Sequence, residues 1–478
     1  MTSEYPFFLA GRWERSATPL PVIYPYDGSE IARTWLAGDD EFEQATRAAV
    51  AAAGPMRALP AYQRAAILAG ASKELLDRRD EIARIVCLEV GKPIRDASAE
   101  VERAAMTFKV ASEEARRIGG EVIPLDLAPH GNGRFALTRR FPIGPVAAIS
   151  PFNFPLNLSA HKLAPAIAAG DPIVLKPASK TPLSALSLAA ILQRAGVPAG
   201  ALSVLPMTRE TGNKLVTDER YRLLTFTGSS AVGWSMKARA GTKRLLLELG
   251  GNAGVIVDDS ADLEYAAMRI SLGGFALAGQ SCISVQRVFV HERVMEDFSR
   301  RLVARVEGLR VGDPLDPATD VGPLIEPGEV DRVEAWIREA VKAGAKVLTG
   351  GKRIGRTLYA PTVLTRVPET AKVCAQEVFA PMVGLYPFSD FKAAVAAVNR
   401  SAYGLQAGVF TSSLQHAFHG FETLEVGGVI VNDVPSWRID HMPYGGVKNS
   451  GLGREGPRYA IEEMTELRLM VVNEEVGR

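Results

Sequence analysis

Five stretches of this chain carry residue types that could do chemistry. Residues 279–286 hold Cys282, one of three cysteines among 478 residues. Gly273, Gly274, Ala276 and Ala278 precede it in a run that reads as a helix end followed by a turn. A thiol attacks only as thiolate, which forms where dipoles or cations lower its pKa. Small neighbours would let backbone amides approach the sulfur and leave room for a substrate carbon. A lone cysteine is as readily a small buried hydrophobe, so this stretch alone leaves both readings open. Asn153 is pinned within Pro151-Phe152-Asn153-Phe154-Pro155. An amide there is costly without a partner, and its NH2 could donate to a developing oxyanion.

Glu248 lies in Leu247-Glu248-Leu249-Gly250-Gly251-Asn252, at the end of a buried-strand run. Apolar neighbours would raise its pKa toward the range of a general base. A helix cap or a solvent-facing carboxylate is the plainer alternative. Gly228, Ser229 and Gly233 follow a strand and open a helix, where backbone amides can receive a phosphate. Trp234-Ser235 excludes a Walker A loop, and the spacing is not Gly-x-Gly-x-x-Gly. A structural turn fits that segment equally well. Lys176 also follows a strand end, in Lys176-Pro177-Ala178-Ser179-Lys180. It could reach ribose hydroxyls, or belong to a solvated loop.

These residues need a scaffold, and the periodicity supplies one. Residues 41–53, 61–90 and 97–118 read as helices. From Gly144 short apolar strands alternate with helices: strands at 146–149, 172–175, 202–205, 222–226 and 244–247, helices at 157–169, 183–194, 210–216 and 229–239. That alternation means a parallel sheet covered on both faces. Ligands bind beyond the carboxyl ends of such strands. A second α/β series follows Gly250, with strands at 255–257, 285–290, 383–386, 407–410 and 428–431. Residues 125–140 read as a polar ribbon, and 467–472 as a strand with no obvious partner nearby.

A hydrophobic fraction of 47% allows two or three domains, and a net charge of +1 with scattered charges argues against nucleic acid. Cys87, Cys282 and Cys374 form neither a disulfide framework nor a metal cluster, so no metal is expected. A reducing, cytoplasmic setting is the default expectation. Residues 1–6 lack the pattern of a signal peptide. The longest uncharged run, 141–160, holds four prolines, which argues against a membrane span.

Residues 151–155, Lys176-Pro177, 228–233, 247–252, Gly279-Gln280-x-Cys282, 377–381 and 443–455 occur together and in order. In that combination the chain resembles the aldehyde dehydrogenase superfamily over essentially its whole length. The resemblance implies an α/β fold with three parts. They are a Rossmann-like dinucleotide-binding domain (1–119 and 141–250), a catalytic domain carrying the nucleophile (251–457) and a β oligomerisation arm (120–140 and 458–478). It implies NAD(P)-dependent oxidation of a small-molecule aldehyde to a carboxylate. Cys282 would form a thiohemiacetal and then a thioester, with Asn153 and the Cys282 amide holding the oxyanion and Glu248 activating water. Lys176 would meet the adenosine ribose, Ser229 the pyrophosphate, and Glu377 with Phe379 the nicotinamide side. A homodimer or homotetramer is implied, the arm joining a neighbouring subunit's sheet. A base at Glu248 favours hydrolysis over a coenzyme A-acylating route. Loss of Cys282, Asn153 or Glu248 would have marked a catalytically silent relative.

Many NAD-dependent relatives carry Glu where this chain has Ser179. Without that carboxylate, and with Lys180 adjacent, NADP is expected to be tolerated or preferred. Arg103, His161 and Arg438 fall in segments that approach the substrate tunnel in relatives. Together they would suit an anionic or hydroxylated tail, although a helix Arg is commonly solvated and a buried His commonly structural. Residues 435–440 and 280–284 look most like the lactaldehyde, glycolaldehyde and phosphonoacetaldehyde branch.

Overall fold

The computed structural model describes residues 3–474; Met1, Thr2 and positions 475–478 of the arm segment lie outside the described residues. Two large sheets organise the chain. The first has eight strands, ordered Gly451–Leu452, Arg244–Glu248, Leu223–Thr227, Val146–Ile149, Ile173–Lys176, Leu202–Val204, Phe7–Leu9 and Arg12–Glu14. Its five central strands are mutually parallel. From Val146–Ile149 the chain winds outward through Ile173–Lys176 and Leu202–Val204. It then returns to the other side of Val146–Ile149 with Leu223–Thr227. That reversal opens a crevice at the strand carboxyl ends. Asn153 follows one of the two flanking strands, and Gly228 and Ser229 follow the other.

The second sheet has seven strands, with Val285–His291 and Ala253–Val257 at its centre and Gly428–Val431 at one edge. Cys282 precedes Val285–His291, and Glu377 and Phe379 precede Met382–Phe388. The second sheet therefore turns its amino ends toward the cleft that the first sheet faces with its carboxyl ends. Glu248 ends the last strand before the chain crosses between them. Each sheet has its own apolar core.

The helix Pro155–Ala169 packs between the first sheet and the helix Ile94–Ala115 and buries every one of its residues. An all-apolar helix would satisfy that position, yet it carries Asn157, His161 and Lys162. Such groups survive burial only with partners, and all three have them. The expected helix over 61–90 is two helices, Ala61–Asp77 and Arg79–Val90. Arg78 breaks the run with non-helical backbone, held by Glu74 and Glu81. No Gly or Pro marks that break.

The strand with no obvious partner has one in its own chain. Thr465–Asn473 pairs antiparallel along its whole length with Arg134–Pro142, which also pairs with Val122–Pro124. More than three hundred positions separate Thr465 from its partner Pro142 (465 against 142), which hid the pairing. Among the described residues the other edge of Thr465–Asn473 carries no strand, and Leu467, Leu469, Met470 and Val471 are exposed. No helix among the described residues is long and apolar enough to cross a membrane.

Candidate active site

Two cavities meet at five residues, Leu158 and Thr227 among them. A larger one of about 680 Å³ is lined by Pro151, Phe152, Gly228, Ser229, Glu377 and Phe379 among others. A smaller one of about 230 Å³ is lined by Lys92, Arg103, Ser436, Arg438 and Tyr444 among others. Asn153, Glu248 and Cys282 line both.

Backbone strain sets the position of Cys282. Leu277, Ala278 and Gly279 run consecutively through the left-handed region, with φ of 50°, 52° and 72°. Such a run is costly and persists only where the surroundings over-determine it. A Cβ at Gly279 would meet the Ala380 carbonyl oxygen at 2.2 Å. The buried Gln280 side chain fastens the turn: its Nε2 donates to the Leu277 and Pro323 carbonyls, and its Oε1 accepts from the Ile325 amide. The Gln280 carbonyl accepts in turn from Asn153 Nδ2 at 2.9 Å. The Cys282 backbone N–H has no acceptor among the described residues.

Cys282 Sγ lies 3.1 Å from the Tyr444 hydroxyl. Burial pushes its pKa up to about 12, and the charges of Glu377 and Glu248 add to that; the Tyr444 hydrogen bond works the other way. The chain alone thus favours thiol over thiolate. Glu248 is buried, and neither carboxylate oxygen has a hydrogen-bond partner. Burial, reinforced by the charge of Glu455, holds its pKa well above the usual carboxylate range. An unpartnered carboxyl facing a cavity is free to hydrogen-bond a water, and can take a proton from it only once ionised.

The glycine-rich turn after Thr227 opens the helix Ser230–Lys237. Its N-cap, Ser229, uses no side-chain oxygen for capping, which leaves the hydroxyl and first-turn amides to face the larger cavity. Gly233 does not line the cavity; a Cβ there would sit 2.3 Å from Leu249, so it serves close packing of helix on strand. Lys176 and Ser179 are not among the lining residues either. Burial lowers the Lys176 pKa to about 8, and Ser179 Oγ donates to the Met207 carbonyl at 3.4 Å. Lys180, expected to offer a free cation, is paired with Glu326. Two arginines line the wall: Arg332, paired with Glu329, and Arg209, which begins the helix Arg209–Thr217 and has no side-chain ion pair among the described residues. Nothing in the local sequence distinguished it from other exposed arginines. Glu377 accepts from the Gly251 amide at 2.8 Å, and burial raises its pKa to about 7.

Around the smaller cavity, Arg103 forks onto Asp440 at 3.0 and 2.9 Å. Asp440 also accepts from Asn157 and contacts His161 Nε2 at 2.9 Å. His161 is not a lining residue; it lies behind the wall, 3.2 Å from Arg438. Burial and then the Arg438 charge lower its pKa, so the ring is neutral. Arg438 is almost wholly buried; its Nε has no hydrogen-bond partner among the described residues but lies 3.8 Å from Asp440 Oδ1. Lys162 donates to Thr225, Thr227 and Glu455. Tyr444 and Asp440 were readable as residues of their motifs, but only the fold brings them to the sulfur and the arginines.

This fold and this site define a protein class. The aldehyde dehydrogenase family model matches residues 13–470, and the chain belongs to that family of oxidoreductases. It is similar to a 3-sulfolactaldehyde dehydrogenase of Priestia aryabhattai, 46% identical over 471 residues, 98% of each chain. Among solved structures it is similar to aldehyde dehydrogenase 21 from Physcomitrella patens in complex with the reaction product succinate. That match has a TM-score of 0.98 and 47% identity over 100% of this chain and 99% of the other. It is also similar to a glyceraldehyde-3-phosphate dehydrogenase from Methanocaldococcus jannaschii complexed with NADP, with a TM-score of 0.91 and 40% identity over 95% and 99% of the two chains.

Proposed function

We propose that this chain oxidises a short aldehyde with an anionic tail to its carboxylate, using NADP or NAD and a thioester on Cys282. The single observation carrying this reading is that Cys282, Asn153 and Glu248 line both cavities at once. Cys282 Sγ attacks the carbonyl carbon. The alkoxide that forms takes hydrogen bonds from Asn153 Nδ2 and the Cys282 amide, two donors converging on one oxygen. A nicotinamide dinucleotide bound in the larger cavity supplies the hydride acceptor that turns the thiohemiacetal into a thioester. Glu248, once deprotonated, takes a proton from the water that hydrolyses the thioester.

The larger cavity suits a dinucleotide in size and in donor set. Ser229 and the first amides of Ser230–Lys237 would receive a phosphate, and Glu377 would accept from ribose hydroxyls. Arg209 would pair with a 2′-phosphate, which favours NADP. Lys176 and Ser179 remain proposed contacts for the adenosine ribose. We assign residues 1–119 and 141–250 to the cofactor unit, 251–457 to the unit bearing Cys282, and the arm to homo-oligomer contacts in the cytoplasm.

The smaller cavity is tight, which suits a chain of a few carbons. Arg103 and Arg438 on its wall would meet a sulfonate or carboxylate. Two of the similar proteins support an anionic tail, one named for 3-sulfolactaldehyde and one crystallised with succinate. The test is a panel of three- and four-carbon aldehydes with sulfonate, carboxylate and neutral tails, assayed with each cofactor. Anionic tails should lead in kcat/KM, and Cys282→Ala should abolish turnover. A preference for neutral tails would remove the substrate assignment, and an active Cys282→Ala would remove the mechanism.

A further inference from the structure

We propose that Tyr444 is a catalytic residue, whose hydroxyl donates to the Cys282 sulfur and stabilises the thiolate while Arg438 stacks on its ring. This rests on the reading that Cys282 is the nucleophile. The Tyr444 oxygen lies 3.1 Å from Sγ, and the Arg438 guanidinium carbon lies 3.6 Å from the ring centroid. A cation on the face of a phenol draws electron density from the ring and so strengthens its O–H as a donor.

The surroundings leave the sulfur little other help. The titratable or charged groups facing Cys282 are Tyr444, Glu377, Glu248 and Arg438. Two are acids that disfavour a thiolate, and the one cation acts from across the phenol. Tyr444 is also fixed in place. Its ring is buried with Ile283 and Leu405, and its backbone exchanges hydrogen bonds with Glu455, N–H to carbonyl in both directions. Burial keeps the phenol protonated, with the nearby sulfur adding to that, so it can only donate to a thiolate. In the attack step the thiol proton leaves to water in the open cavity. A bond forms between sulfur and the carbonyl carbon, and the Tyr444 proton stays on its own oxygen. The hydrogen bond matters most while sulfur is negative and weakens once the C–S bond has formed.

Tyr444→Phe keeps the ring, its burial and the Arg438 stacking, and removes only the hydroxyl. The measurement is the rate of iodoacetamide alkylation at Cys282 against pH, read by peptide mass so that Cys87 and Cys374 are resolved. One lost hydrogen bond to a charged group should slow alkylation at pH 8 by roughly tenfold or more and move the midpoint to higher pH. The rate of the first turnover should fall in parallel. An alkylation profile that overlays the wild type would overturn the proposal and reduce Tyr444 to packing. If Cys282→Ala still oxidised aldehydes, the nucleophile assignment itself would fail; an inactive Cys282→Ala with an unchanged Tyr444→Phe profile would sink only the role of Tyr444.

Discussion

Asn153 Nδ2 donates to the carbonyl of Gln280 at 2.9 Å, two residues before Cys282. The bond ties the carboxyl end of one sheet to the amino end of the other and aims the amide at the nucleophile's loop. Removing one such donor costs roughly 10²–10³ in kcat. Asn153→Ala should show that loss, with substrate KM changed far less. Steady-state kinetics on the preferred aldehyde will check it. An equal loss in KM alone would make Asn153 a binding residue.

Glu248 begins neutral, because burial and Glu455 hold its proton. A base with a raised pKa becomes active only as pH climbs through that value, so wild-type turnover should rise from pH 6 to 9. Glu248→Gln should still acylate Cys282 but hydrolyse the thioester roughly 10²–10⁴ times more slowly. The readout is a burst of reduced cofactor followed by a slow, nearly pH-independent phase. Steady turnover without a burst would contradict the assignment.

How much of this could be read beforehand divides along physical lines. The parallel sheet and its helices were legible because their apolar periods are local, and strand boundaries fell within a few residues. Asn153, Glu248 and Cys282 were legible because each sits at an element end among small or rigid residues. Pairing of Thr465–Asn473 with Arg134–Pro142 was not, since nothing local specifies a partner more than three hundred residues away. Nor was the engagement of Lys180 by Glu326, which left Arg209 as the unpaired cation on the cavity wall among the described residues. Lys162 and His161 offered a clue: charged or polar groups inside an otherwise apolar helix require buried partners.

Arg209 lines the larger cavity with no ion pair among the described residues, whereas Lys180 is paired with Glu326. A hydrogen-bonded charge pair contributes about 1.5–3 kcal/mol, or roughly 10- to 100-fold in affinity. Arg209→Glu should therefore depress kcat/KM for NADP by that factor and leave NAD within a few-fold. Kinetics with both cofactors decide it; equal losses with the two would place Arg209 away from the 2′-phosphate.

Asp440 collects Arg103, Asn157 and His161 in one buried knot. Burial opposes its ionisation, but the His161 hydrogen bond and the Arg103 charge prevail and hold the carboxyl well below its usual range. A carboxylate with a depressed folded pKa contributes stability that is present above the unfolded value, near 3.9, and lost as pH falls through the folded one. Asp440→Asn should thus cost about 1–3 kcal/mol at pH 7, at the lower end because Arg103 is partly exposed and can rehydrate. The deficit should shrink as pH drops below about 4, where the unfolded wild-type carboxyl takes its proton. The same change frees Arg103, so KM for an anionic aldehyde should shift. Melting curves at pH 7 and about pH 2.5 test the linkage; a deficit that stays constant between them would mean that the knot acts through packing rather than charge.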